Sequence, residues 1–449
     1  MARELLRVGD TLYVTCGEDD AEASSSEPRV MRLKVTAKRI GKGQFSEVYP
    51  ARISTSGVRR RGGGGGGGEE EEEDAIAVKI EPEAKTLKAE AATLQQLQGC
   101  SSVCRYYGKG RHQGKMYIAM ERVGSNLAEL RRKYGRSPRE DESGGKSHAF
   151  CDETVRLLGC WMLDALRQVH SAGFVHRDVK PANFASQWRR RGGGRRRRKS
   201  ESTALERTQD EADGGDAIAQ NGEEQDCEEG EIVEETGDGG GATQDERKFY
   251  VIDFGLCRRF TDGEGNVKPP RSVGKQGFRG STTYASVMAH NGDELGRRDD
   301  LWSLLYILVE CIFGTLPWRR LLLGEEDDSA RCIKVGEMKR ACMRDVSMLA
   351  PGGFELPGWI AEMVAYVSNL SFADAPHYDR LIDMMQPRLN HVCEWELADA
   401  HGKLGGSSSL GKGRMHADTV ENDRRRHRDK RTPSPAPPKR PRYHQHPRQ

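Results

Sequence analysis

The sequence predicts an α+β fold, with strands gathered in the first third of the chain and helices in the rest. Three observations carry that expectation. Residues 31–40 alternate apolar and polar side chains as a half-buried strand does, and residues 75–80 resume a strand pattern. Residues 104–108 and 115–121 read as a hairpin. Residues 152–169 then set Leu158, Trp161, Met162, Ala165, Leu166 and Val169 on one helical stripe.

Composition bounds the rest. Only 35% of the 449 residues are hydrophobic and 52 are Gly, so part of the length is not packed core. Low-complexity blocks account for it, and their removal leaves one large domain or two lobes. The net charge of +2 favours no partner by itself; its uneven distribution says more. Eleven Cys lie without C-x-x-C pairs, and no apolar leader opens the chain. Reduced thiols in an intracellular protein, in the cytoplasm, the nucleus or both, are the expectation. The longest apolar run, residues 301–313, carries Glu310 and is too short to span a bilayer, so no membrane partner is expected.

Residues 1–30 read as a short extension with Leu5, Leu6, Leu12 and Val14, then an acidic, Ser-rich linker. The strand at 31–40 runs into Gly41-Lys42-Gly43-Gln44-Phe45-Ser46-Glu47-Val48. A glycine-rich turn between two strands lets backbone N–H groups approach phosphates; a dinucleotide site would need a strand-to-helix turn. Ile40, Gly41, Gly43 and Val48 are the candidate nucleotide contacts, against the reading of a plain hairpin. Ser46 takes the third Gly position of G-x-G-x-x-G, which is tolerable if that residue needs no positive φ. Residues 54–74, with three Arg, seven consecutive Gly and an acidic run, are expected to be a disordered insertion.

Ile76-Ala77-Val78-Lys79 matches the strand pattern V-A-I-K, which makes Lys79 a candidate to grip the α- and β-phosphates rather than face solvent. Residues 85–97 form a helix with the stripe Leu87, Ala91, Leu94 and Leu97. Glu90 in its middle is placed to pair with Lys79, or is a solvated helix charge. The hairpin ends in a connector where backbone groups from Glu121 to Val123 would hydrogen-bond adenine. Met120 either backs that pocket or packs the core. Asp152 is expected to cap the next helix, which ends near Gly173.

Directly after it, His176-Arg177-Asp178-Val179-Lys180-Pro181-Ala182-Asn183 reads H-R-D-x-K-P-x-N, the catalytic-loop pattern of protein kinases. Phosphoryl transfer needs a carboxylate to orient the attacking hydroxyl and take its proton. It also needs a cation near the transferred group and an oxygen ligand for Mg²⁺. Asp178, Lys180 and Asn183 supply these three; the competing reading is a polar turn with a capping Asp. A second insertion, about 186–246, follows. Residues 189–199 carry eight basic side chains, and residues 201–246 carry seventeen acidic ones against one Arg. Disorder is expected there too. A strand at 248–252 then leads into Asp253-Phe254-Gly255, where Asp253 would chelate Mg²⁺.

Further stretches resemble casein kinase 1-type protein kinases, and most closely their tau-tubulin kinase branch. They are Leu256-Cys257-Arg258-Arg259-Phe260, Pro269-Pro270-Arg271, Gly277-Phe278-Arg279-Gly280-Ser281, Tyr284 to His290, Gly296 to Ser303, and Leu316-Pro317-Trp318-Arg319. Asn126 to Arg132 and Leu97-Gln98-Gly99 add to them. The resemblance implies a two-lobed kinase fold over residues 31–394, with a β-rich lobe at 31–123, a helical lobe after it, and ATP between them. It implies Ser/Thr specificity, signalled by Lys180, and Asp300 anchoring the catalytic loop from a buried helix. Ser281 would take the position of a hydroxyl that touches Asp178 and Lys180, and Pro50 would sit at a sheet edge. Ala285-Ser286-Val287 stands where other kinases carry A-P-E, as is usual in this family. Thr283 departs from the family, whose Arg there helps bind anionic substrates; Lys275, Arg279, Arg297 and Arg298 are the remaining sources of positive charge.

Residues 331–385 are expected to be helices, with an apolar stripe at Trp359, Met363, Tyr366 and Leu370. Residues 395–449 read as a disordered basic tail, either merely solvated or a nuclear-localisation or nucleic-acid patch. The reading is therefore an active Ser/Thr protein kinase using ATP and Mg²⁺ on protein substrates, acidic or cytoskeletal ones among them, as a monomer. A pseudokinase scaffold is the alternative.

Overall fold

The computed structural model describes residues 4–16, 29–43, 46–54, 75–136, 148–187, 249–271, 277–323, 327–388 and 390–398. Gln44, Phe45, Lys275, and most of both insertions and of the tail lie outside these residues, as do the expectations placed on them.

The first lobe is an antiparallel sheet of seven strands: β1 Thr11–Cys16, β2 Arg29–Val35, β3 Gly41–Lys42, β4 Glu47–Ile53, β5 Ile76–Glu81, β6 Tyr106–His112 and β7 Lys115–Glu121. Their order is β2-β1-β6-β7-β5-β4-β3, and β2 also pairs with β4, so the sheet closes on itself. Leu6, Leu12, Val14, Leu33, Tyr49, Val78, Ile80 and Tyr117 fill the interior. This differs from the expected extension over residues 1–30. β1 pairs with β2 in full register from Thr11↔Lys34 onward and meets β6 at Thr15↔Lys109. The alternation of Leu12 and Val14 turns both into the closed sheet. Gly108 permits the crossing, since a Cβ there would lie 2.3 Å from the Thr15 carbonyl oxygen, at a φ of +141°.

Pro50 is not at an edge. β4 has β5 on one side and β2 and β3 on the other. Its pairing with β2 reaches only to Ala51 and with β3 only to Val48, so Pro50 faces the break between those strands. The missing N–H falls where no ladder bond is made, and the Pro50 carbonyl accepts from Thr36 N–H at 3.1 Å.

Helix α1 (Leu87–Gln96) packs its buried Leu87, Ala91 and Leu94, with Leu97 at its end, against the outside of the sheet. The second lobe holds α2 (Leu127–Tyr134), α3 (Asp152–Ser171), α4 (Val287–His290), α5 (Arg297–Phe313), α6 (Asp328–Arg344), α7 (Gly358–Ser368) and α8 (Tyr378–Met385). Asp152 is the first helical residue of α3; Cys151 is the cap, and the Asp152 carboxylate instead accepts from Trp359 Nε1 at 3.0 Å. α5 is buried all round from Asp299 to Cys311, as a central core helix is. Two short strand pairs frame the catalytic loop: β8 (Phe174–Val175) with β11 (Arg258–Arg259), and β9 (Phe184–Ser186) with β10 (Phe249–Val251). Among the described residues no helix is long and apolar enough to cross a membrane.

Candidate active site

The glycine-rich turn opens between β3 and β4. Ile40 N–H donates to the Val48 carbonyl at 2.8 Å and Gly43 N–H to the Ser46 carbonyl at 2.8 Å. Ser46 is not among the residues with positive φ, so the third Gly of the pattern is dispensable here. A contact that sequence reading missed braces the turn. Glu47 is buried at its base, pairs with Arg39, and accepts from Tyr49 OH and from Leu5 N–H at 3.1 Å. Burial opposes ionisation of Glu47, yet Tyr49, Leu5 and Arg39 hold its carboxyl below the usual range.

β5 and α1 bring Lys79 and Glu90 together in the buried back of the cleft. Lys79 Nζ lies 2.7 Å from Glu90 Oε2, 2.9 Å from Glu90 Oε1 and 2.9 Å from Asp253 Oδ1. Burial disfavours the Lys79 ammonium, but the two carboxylates outweigh it and hold the pKa above its ordinary value. Burial acts against the Asp253 carboxyl too, and Lys79 nevertheless keeps it below the usual aspartate range. Residues 174 positions apart in sequence thus share one ion cluster, which no local pattern could have measured.

Asp253 itself has a φ of +67°, a conformation uncommon for a side chain with a Cβ. Phe254 behind it is buried and packs against the His176 ring, with centroids 5.4 Å apart. His176 Nε2 meets the Ile252 carbonyl at 3.1 Å and Nδ1 accepts from Asp178 N–H at 3.3 Å. The neighbouring Arg177 also has positive φ, +65°. Asp300 holds this strained turn, as the resemblance implied. It accepts from His176 N–H at 2.7 Å and from Arg177 N–H at 2.8 Å, with His170 Nε2 at 2.8 Å. Burial opposes its charge, and the His170 contact leads the interactions that keep its carboxyl below the usual range. His170, whose Nδ1 lies 2.6 Å from Tyr378 OH, was not foreseen; it reads in sequence as one more polar residue at a helix end.

At the front of the cleft, Lys180 Nζ donates to Asp178 Oδ2, and Asn183 Nδ2 donates to the Asp178 carbonyl at 2.9 Å and to Oδ2 at 3.3 Å. With its nitrogen so engaged, Asn183 has its carbonyl oxygen as the atom suited to a hard cation. Ser281 makes no hydrogen bond to Asp178 or Lys180 among the described residues, although Gly280 before it comes close: a Cβ there would lie 3.7 Å from Asp178 Oδ1.

In the connector, Glu121 N–H donates to the Arg105 carbonyl at 2.7 Å, Arg122 N–H to Ala75 at 2.8 Å and Gly124 N–H to Ser186 at 2.7 Å. Val123 N–H has no such partner among the described residues. Met120 is half-buried against the core, so packing and pocket readings both describe it. Of the expected sources of positive charge, Arg297 donates to the Ala373 carbonyl and Arg298 to Leu370. Arg279 lines a hollow with Arg177, Arg271 and Glu294.

The two-lobed α+β architecture is that of the protein kinase fold, with a glycine-rich hairpin, a Lys–Glu pair behind it, and a loop of Asp, Lys and Asn beneath. The family model of the protein kinase domain matches residues 35–189. The chain is 31% identical over 345 residues to a probable serine/threonine-protein kinase of Dictyostelium discoideum, covering 76% of this chain and 50% of that protein. It is 27% identical to a putative serine/threonine-protein kinase of Caenorhabditis elegans, covering 69% and 68%. It is 23% identical to casein kinase I homolog 3 of Saccharomyces cerevisiae, covering 82% and 62%. The chain therefore spans about half to two thirds of the length of these relatives.

Proposed function

We propose that this chain is an ATP-dependent Ser/Thr protein kinase that transfers the γ-phosphoryl group to hydroxyls of protein substrates. The observation that carries this is the cluster Lys79–Glu90–Asp253 standing over the Asp178–Lys180–Asn183 loop. Six functional positions keep the residue type the chemistry needs, which speaks against a scaffold that has lost catalysis.

In this reading Asp178 orients the substrate hydroxyl and takes its proton, and Lys180 stabilises charge on the transferred group. Lys79, held charged by Glu90, draws in the α- and β-phosphates. Val123 N–H, without a backbone partner among the described residues, is the connector group offered to adenine. Asp253 and Asn183 would hold Mg²⁺: an ionised carboxylate and an amide oxygen fit a hard cation that keeps water and phosphate oxygens for its other positions. That ion would neutralise charge on the phosphates.

The stretches from Leu256 to Arg319 favour a reading as a casein kinase 1-type enzyme and, more narrowly, as one of the tau-tubulin branch. The identity with casein kinase I homolog 3 supports the broader of these two placements. Acidic protein substrates suit Arg177 and Arg279, which line a hollow where Arg271 is already paired with Glu294. The test is transfer of label from ATP to casein by the wild type and by Asp178→Asn. Loss of at least ~10³-fold in rate is expected; equal labelling by both would remove the mechanism.

A further inference from the structure

Lys339 of α6 is fully buried, and nothing in the proposed chemistry uses it. Its Nζ lies 2.9 Å from the Thr282 carbonyl oxygen, 2.6 Å from the Ala285 carbonyl oxygen and 3.2 Å from His290 Nε2. The Tyr306 and Trp318 ring centroids are each 5.0 Å from it. No carboxylate pairs with it among the described residues. Two carbonyl oxygens, an imidazole nitrogen and two ring faces thus replace water around one amine. Burial pulls the amine well below its ordinary pKa. In either protonation state it has N–H groups for both carbonyls. Burial and the adjacent Lys339 push His290 down to about 3, so its imidazole is neutral, and its tautomer sets whether Nε2 donates or accepts.

The two carbonyls belong to one turn. Tyr284 and Ala285 N–H both donate to the Ser281 carbonyl, and Trp318 Nε1 donates to the Thr283 carbonyl at 2.9 Å. Tyr284 OH donates to Glu310 Oε2 at 2.6 Å. Ser281 and Thr282 form the half-exposed face of this turn, and Thr283 to Ser286 are buried. Gly280, at its start, reaches the catalytic loop: a Cβ there would lie 2.8 Å from the Arg177 carbonyl. The turn is therefore a surface beside Asp178, and Lys339 is the contact that ties both of its arms to the helix beneath.

We propose that Lys339 is a positioning residue for protein substrate, fixing residues 281–286 as the shelf on which the substrate chain lies beside Asp178. The proposal rests on the kinase reading above. Removing the amine leaves the buried Ala285 carbonyl without its side-chain donor and takes one from the Thr282 carbonyl, and the turn must shift to replace them. Nucleotide contacts lie on other elements and stay as they are.

The test is steady-state kinetics of Lys339→Met, which keeps the apolar stem, with dephosphorylated casein as substrate. KM for casein should rise by about tenfold or more, with KM for ATP within about twofold of wild type. Casein KM unchanged overturns the proposal, and so does an equal loss of ATP affinity, which would mark Lys339 as a general support of the fold. Should the Met variant not fold, Lys339→Gln decides, because its shorter stem holds the amide short of the Nζ position and cannot serve both carbonyls: a rise in casein KM with KM for ATP unchanged supports the shelf, and an unchanged casein KM overturns it. A wild type that leaves casein unlabelled removes the kinase reading and this inference with it, whereas labelling with unaltered KM removes this inference alone.

Discussion

The charged cleft and the closed sheet above it are built on opposite principles. In the cleft, charged groups meet charged groups: Lys79 meets Glu90 and Asp253, and Lys180 meets Asp178. In the sheet, closure comes from strand pairing and apolar contact, with Leu6, Leu12 and Val14 filling the interior. Charge chemistry demands one residue type at one place, so the cleft is written in short motifs. Apolar closure is satisfied by many residue types, and it leaves no motif.

The comparison can be broken at either end. Asp300→Ala should have the largest effect, since it strips the acceptor from two strained backbone amides and from His170 in a buried site. We expect a loss of about 3–5 kcal/mol in urea unfolding and no phosphoryl transfer. Leu6→Ala, at a fully buried position, should cost about 3 kcal/mol while the folded protein keeps its ATP affinity. A large loss of ATP affinity there would show that sheet closure is part of the site. Gly108→Ala should cost about 1–3 kcal/mol, because its Cβ would meet the Thr15 carbonyl at a positive φ.

Acid separates the two regions by sign. Asp253 and Asp300 have carboxyls held below the ordinary aspartate value of 3.8. The stability they contribute is present above that pH and is lost as pH falls through their folded values. Amide exchange near pH 3 should therefore rise first at residues 174–184 and 252–257. Strands β1 and β2, with their apolar interior, should follow later; simultaneous loss would contradict the division. The smallest effect is expected from Ser46→Gly, which should change ATP affinity by no more than about twofold, since Ser46 does not need the freedom glycine gives.

Legibility in the sequence followed the same line. Lys79, Glu90, Asp178, Lys180, Asn183 and Asp253 were all singled out as candidates from spacing and residue type, and the structure gathers them in one cleft. The α1 stripe of Leu87, Ala91 and Leu94 was legible from periodicity, and the buried helix behind Asp300 from its apolar run and the family resemblance. β1 was not. Its Leu12 and Val14 alternate over too short a span, and its pairing with β2 crosses an acidic linker that carries no strand signal. Pro50 was misplaced because a missing N–H is tolerated wherever no ladder bond falls, and only the register shows where that is. His170, Glu47 and Lys339 each act through at least one partner 42 or more residues away (Asp300, Leu5 and His290 respectively), beyond the reach of any local pattern.

The central claim is that the cleft joins Lys79 and Asp253 around a nucleotide and its cation. Calorimetric titration of ATP into the wild type, into Lys79→Met and into Asp253→Asn, with and without Mg²⁺, tests it most directly. The wild type should bind ATP more tightly with Mg²⁺, Asp253→Asn should lose that dependence, and Lys79→Met should bind more weakly in both conditions. ATP affinity equal in all three proteins and indifferent to Mg²⁺, or no binding by the wild type, would contradict the account.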